Sequence, residues 1–146
     1  MKIRVYLDNC CFNRPYDDPL NVLNWLEAEA KTHVQRRILA GELELAWSYI
    51  LDFENAANPY EHRRNAIAQR KHRAVVDIDA DGEIVQKATD IAKRGLKNKD
   101  ALHVASAIKA QCRFFLTTDK GILKRSVEGI SLLNPLDFVR ETEGGK

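Results

Sequence analysis

Long hydrophobic runs are missing from this sequence: none approaches the roughly 18 residues needed to span a bilayer. Its start, MKIRVYLD, reads as a strand rather than a signal peptide, so the expected address is the cytoplasm, with no membrane association. Cysteine is scarce. The 3 present, Cys10, Cys11 and Cys112, are odd in number and have neither Cys-x-x-Cys spacing nor a matched histidine pair, so neither a disulfide framework nor a zinc site is suggested. They are expected to be reduced and to act as small core hydrophobes. With 7 glycines, 4 prolines and no low-complexity stretch, a disordered chain is excluded. No glycine-rich phosphate loop occurs, which argues against nucleotide-driven chemistry, and no internal repeat is evident. The net charge of +2 is too small to announce nucleic acid by itself.

What is present is the composition of a globular protein: 45% hydrophobic and 30% charged over 146 residues, the length of one ordinary domain. Residues 1–141 are expected to form that domain and residues 142–146 a flexible tail. Basic residues gather in HRRNAIAQRKHR, residues 62–73, which holds Arg63, Arg64, Arg70, Lys71 and Arg73 with only Glu61 just ahead.

Strand and helix patterns alternate. A first strand at 2–7 is followed by the loop DNCCFNRPYDD, and Asp18 then Pro19 signal the start of a helix that Gly41 stops. The strand ELELAW leads to Ser48, expected to cap a short helix that Pro59 ends. Next come a basic helix over 60–73, the strand AVVDI, a helix closed by Gly95, a helix capped by Asn98, and a strand at 113–117. A short helix, a weak strand near 130–133 and a helix from Pro135 complete the order. This alternation predicts an α/β fold with a mainly parallel sheet covered on both faces.

Two strands end in carboxylates, Asp8 after IRVYL and Asp119 after FFLTT. In such sheets ligands bind beyond the carboxyl ends of the strands. Helical spacing adds two more acids. Glu54 lies four residues after Ile50 on the inward stripe of its helix, whereas Asp52 is rotated about 160° from it. Asp100 occupies the first turn of the next-but-two helix, on the stripe continued by Val104, Ala107 and Ile108. Carboxylates facing an apolar interior are costly unless paired or metal-bound, and four near one sheet edge repel unless a cation compensates. With Lys99 and Lys120 the nearest bases in sequence, all-oxygen ligation points to Mg²⁺ or Mn²⁺.

The set VYLDNC, SYILDFEN, KNKDALHVASAI and FFLTTDKGIL, in this order, resembles the PIN-domain family of ribonucleases, which includes the toxins of toxin-antitoxin pairs. The resemblance covers nearly the whole chain, down to GISLLNP, and its most specific part is KDALHVASA followed by FLTTD. It implies a three-layer α/β/α sandwich with a mainly parallel central sheet. It also implies Mg²⁺- or Mn²⁺-dependent hydrolysis of phosphodiester bonds in single-stranded RNA, a homodimer, and an antitoxin partner if the chain is a toxin. The family's acidic quartet falls on Asp8, Glu54, Asp100 and Asp119, and Ser48 also fits its pattern. Many relatives carry a further acid two positions after the Asp119 equivalent, where this chain has Gly121, and the loop after Asp8 is more elaborate than in the usual toxin. Phosphatases of the haloacid-dehalogenase type would need Asp-x-Asp where Asp8, Asn9 and Cys10 stand, and a response-regulator receiver would need an acidic pair there.

On this reading Asp8, Asp100 and Asp119 hold the ion and Glu54 orients or deprotonates the attacking water. Thr118 is expected to bond a phosphate oxygen or orient Asp119, against a simple capping role. Arg14, Arg63, Arg64 and Arg70 are expected to touch the RNA backbone, against a solvated or antitoxin-facing surface. His103, one turn after Asp100, is expected to be a partly buried histidine bonded to backbone, against an imidazole that reaches and supports the acid cluster. Trp25 and Trp47 are expected to fill core, and Asn9 to join the ion's outer shell or turn the chain. The competing function is a PIN-like module that binds RNA or protein without cutting.

Overall fold

The structure, a computed structural model, describes residues 2–12 and 21–143. Strand β1 (Ile3–Leu7) buries Val5, Tyr6 and Leu7 and runs into a single 3-10 turn, Asn9–Cys11. Helix α1 (Val22–Leu39) is capped by Asn21, whose side chain accepts from the Asn24 N–H at 3.2 Å; the start signal at Asp18 and Pro19 lies outside the described residues. Then follow β2 (Leu43–Ser48), α2 (Tyr49–Ala56), α3 (Glu61–Arg70), a 3-10 turn at Lys71–Arg73, and β3 (Ala74–Ile78). Helices α4 (Gly82–Ala92) and α5 (Asn98–Lys109) precede β4 (Phe114–Leu116), α6 (Lys120–Leu123), β5 (Ser131–Leu133) and α7 (Pro135–Glu143).

All five strands are parallel, in the order β3-β2-β1-β4-β5. Strands buried on both faces read as continuous apolar runs, which is why Phe114, Phe115 and Leu116 are all inside. Helices α1 and α7 pack together, as do α4 and α5, with α2 against α5, so helices flank the sheet as the α/β/α expectation requires. The core is aromatic at its centre: Tyr6 stacks on Phe115 at 5.3 Å and Phe114 meets Phe138 edge-on at 5.1 Å.

The chain moves from β1 to β2 to β3 on one side, then returns to place β4 on the other side of β1. This reversal opens a crevice beyond the carboxyl ends of β1 and β4, where loops diverge to opposite sides. Pairing of Leu7 with Leu116 therefore sets Asp8 beside Thr117, and the Asp8 N–H donates to the Leu116 carbonyl at 2.9 Å.

Several local expectations shift. Ser48 stands at the cap position of α2, yet its hydroxyl makes no cap bond because it is engaged by Tyr6. Asn98 is the first helical residue of α5 and Lys97 takes the cap place. Trp47 is fully buried, but Trp25 is 55% exposed. Trp25 lies nine residues before the buried Val34, about 180° around α1, so it cannot share that face. The boundary expected at 141 moves, since Thr142 and Glu143 belong to α7. Thr142 Oγ1 donates to the Phe138 carbonyl at 2.8 Å, and Glu143 meets His33 Nε2 at 2.8 Å. Residues 144–146 lie outside the described residues.

Candidate metal centre and active site

Asp8 leaves β1 at the sheet edge and is only 9% exposed. Its carboxylate accepts from the Asn9 N–H at 2.8 Å and from the Thr117 hydroxyl at 2.7 Å. The Thr117 oxygen in turn accepts the Asp119 N–H at 3.0 Å, so one buried hydroxyl fixes the strand ends that carry two of the acids. Asp119 caps α6 through Oδ1, which accepts from Gly121 N–H at 2.7 Å and Ile122 N–H at 3.4 Å. The Gly121 N–H thus serves the cap; a Cβ there would sit 3.0 Å from Asp119 Oδ1.

The other two acids come from helices. Glu54 on α2 and His103 on α5 are joined by a hydrogen bond from Nε2 to Oε1. His103 is 1% exposed and is held from behind: its Nδ1 lies 2.6 Å from the Tyr6 hydroxyl, which lies 2.6 Å from Ser48 Oγ. With Nε2 bonded to the carboxylate, Nδ1 continues a chain of hydrogen bonds through the Tyr6 hydroxyl to Ser48. A buried relay from β2 through β1 and α5 therefore ends on Glu54. Burial pushes the Glu54 carboxyl up, but the His103 hydrogen bond, the His103 charge and Lys99 outweigh it and leave it below its ordinary value.

Asp100 shows that the acids converge. Its carboxyl is held above the usual range, first by burial, then by the negative charges of Asp8 and Asp119, with Glu54 adding to them. Ligand atoms of Asp8, Glu54 and His103 all lie within 4.8 Å of one another. Because His103 Nε2 is taken by Glu54, the carboxylates of Asp8 and Glu54 are the oxygen donors which that grouping brings together. A set of mutually repelling carboxylates suits a hard divalent cation. Asn9 Oδ1, next to Asp8, is buried with no hydrogen-bond partner, and an acceptor of that kind suits a cation's water shell.

The remaining candidates divide. Thr118 donates to Cys10 Sγ at 3.3 Å and does not orient Asp119; its neighbour Thr117 does, because register places residue 117 opposite Asp8. His103 bonds side chains rather than backbone, correcting that expectation. Arg14 lies outside the described residues. The Arg64 guanidinium donates to the Asn58 carbonyl at 2.9 Å, Arg63 stacks 4.5 Å over the Tyr60 ring, and Arg70 lines a cleft beside α1. Cys11 and Cys112 are buried as expected, while Cys10 is half-buried at the edge of the acid pocket, 3.8 Å from Asp8 Oδ2. Sequence reasoning passed over Thr117 and Tyr6, whose roles depend on strand register and on a buried ring 42 residues from Ser48 and 97 from His103.

None of the curated proteins compared matches the chain. Among solved structures it is similar to the crystal structure of VapBC2 from Rickettsia felis bound to a DNA fragment from their promoter. That similarity has a TM-score of 0.55 and 13% identity, covering 90% of this chain and 98% of that chain. At such identity the likeness concerns the fold. Residues 5–127 match the family described as PIN domain, a span that holds all four acids and Tyr6, Ser48, His103 and Thr117, and the chain belongs to that family.

Proposed function

We propose that this protein is a metal-dependent endoribonuclease that hydrolyses phosphodiester bonds of single-stranded RNA, and that it acts as the toxin of a toxin-antitoxin pair. The observation that carries the reading is Asp100, whose carboxyl is raised by burial and then by the charges of Asp8 and Asp119 in a chain that matches the PIN-domain family. Clustered negative charge facing a phosphate polymer is of no use to a module that merely binds RNA, which disfavours the non-catalytic alternative.

Asp8, Asp100 and Asp119 would hold Mg²⁺ or Mn²⁺. When bound, such an ion lowers the pKa of its water and offsets charge on the phosphate oxygens. Glu54, lowered by its bond to His103 and so ionised at neutral pH, is placed to accept the proton of the attacking water through Oε2, because Oε1 is occupied. Thr117 keeps Asp8 and the Asp119 backbone in fixed relation. His103, Tyr6 and Ser48 keep Glu54 from swinging out of the crevice.

A toxin role draws support from the toxin-antitoxin complex to which the fold is similar. Val22, Leu23 and Trp25, at 69%, 58% and 55% exposure on the first turns of α1, offer an apolar surface suited to a protein partner. Homodimerisation and a cytoplasmic address belong to the same reading; among the described residues no helix is long and apolar enough to cross a membrane.

The reading is tested by incubating the purified protein with single-stranded RNA, duplex RNA and single-stranded DNA in Mg²⁺, Mn²⁺ or chelator. Cleavage of single-stranded RNA in either metal and none in chelator is expected. A folded protein that cuts no nucleic acid in either metal contradicts it.

A further inference from the structure

Two clefts meet along α1 on its side toward α3. One, of about 350 Å³, is lined by Phe12, Lys31, Gln35, Arg36 and Arg70 among others. The second, of about 550 Å³, is lined by Leu39, Gln69, Arg70, His72 and Arg73. Arg70 and Leu39 belong to both, so the two form one channel, and no acid is among the lining residues.

Lys31 is the telling member. It is only 7% exposed, so its stem is covered, and an ammonium carried at the end of such a stem into the cleft favours a counter-charge. Among the described residues no carboxylate pairs with Lys31, Arg36, Arg70 or Arg73. By contrast Arg4, Arg37, Lys71, Lys109 and Arg140 each pair with an acid. Four cations without a carboxylate partner among the described residues thus line one continuous space with room for an external anion. The Phe12 end of the channel is tied to the turn that follows Asp8. Gln35 Nε2 donates to the Cys11 carbonyl at 3.0 Å, and Phe12 ends the 3-10 turn that Asp8 caps. Four trans peptide steps of about 3.8 Å bound the Asp8 to Phe12 separation at about 15 Å.

We infer that this channel holds the phosphodiester backbone of the single-stranded RNA flanking the bond to be cut, with Lys31, Arg36, Arg70 and Arg73 each neutralising phosphate oxygens. A line of separated cations fits a chain of regularly repeated charges, and the guanidinium forks match phosphate geometry. Phe12, the phenyl ring lining the channel, packs on the Trp47 ring at 5.2 Å, and the cations contact the backbone, so binding does not depend on base sequence. The inference rests on the nuclease reading for the fate of the RNA, but RNA binding is measured separately.

The test uses the full chain in chelator, where cutting does not proceed, and a fluorescent 12-nucleotide single-stranded RNA titrated at several salt concentrations. Each phosphate neutralised on a single strand contributes about −0.7 to the slope of log K against log salt. The triple variant Arg36→Gln, Arg70→Gln, Arg73→Gln is expected to flatten that slope by about 2 and to weaken binding at low salt more than tenfold. Lys31→Met is expected to weaken binding without lowering the unfolding temperature, because it removes an unpaired charge and keeps the covered stem. An unchanged slope in the folded triple variant overturns the inference. So does a drop in unfolding temperature with Lys31→Met, which would mean that the ammonium has a counter-charge within the protein. Tighter binding of polyglutamate than of RNA also overturns it and assigns the channel to an acidic protein. Normal salt-dependent binding with no cleavage in Mg²⁺ or Mn²⁺ would sink the nuclease reading and leave the channel standing.

Discussion

Asp100→Asn is expected to reduce metal-dependent cleavage by on the order of 10³-fold, beyond the roughly 10–100-fold that loss of a ligand's supporting partner costs. The same variant should be more stable than the parent in chelator at pH 7. Asp100 has a folded-state pKa raised above its unfolded value by burial and by Asp8 and Asp119. Its protonated form is therefore the one that the fold favours. Ionising it costs stability, a cost absent below the unfolded pKa of about 3.9 and imposed as pH rises through the raised value. Asparagine carries no such cost, so unfolding temperatures of parent and variant should converge near pH 3 and separate at pH 7. Cleavage retained in the variant, or a variant less stable in chelator at neutral pH, would count against a mutually repelling acid cluster.

His103→Ala is expected to have the largest effect on stability outside the apolar core. It empties a 1%-exposed site, strips Glu54 of its hydrogen bond and leaves the Tyr6 hydroxyl with Ser48 alone. A cavity plus orphaned polar groups costs about 3–4 kcal/mol, which for a chain of this length lowers the unfolding temperature by about 8–15 °C. Tyr6→Phe keeps the stack on Phe115 and removes only the hydroxyl, so its cost should be about 1–2 kcal/mol. The pH dependence separates positioning from packing. Burial alone would raise the Glu54 carboxyl and His103 is what lowers it, so in His103→Ala the acid limb of the cleavage profile should move to higher pH. An unmoved limb would reduce His103 to a packing residue. In the parent, stability gained from the lowered Glu54 is present above the unfolded value of about 4.3 and lost as pH falls through the folded one.

The acid set was legible because each member obeys a local rule. Asp8 and Asp119 end apolar strands, Glu54 follows Ile50 by one helical turn, and Asp100 opens a helix whose buried face runs on through Val104 and Ala107. Strand order was legible only as alternation. What escaped depends on contacts between elements far apart in sequence. Thr117 and Thr118 are equivalent to any local rule, and only the pairing of Leu7 with Leu116 decides which hydroxyl faces Asp8. Ser48 looked like a cap because caps are read from position. Its hydroxyl instead meets a Tyr6 hydroxyl 42 residues away that nothing in the local pattern announces. Trp25 was placed in the core by residue type, although its angular distance from Val34 on α1 puts it outside.

The central claim is that side chains from β1, α5 and the turn after β4 share one divalent cation. Mn²⁺ titration followed by electron paramagnetic resonance, on the parent protein and on Asp8→Asn, reads it without any substrate. One tight site in the parent, weakened at least tenfold in Asp8→Asn, is the predicted result; equal Mn²⁺ binding by the two proteins, or none by either while both are folded, contradicts it.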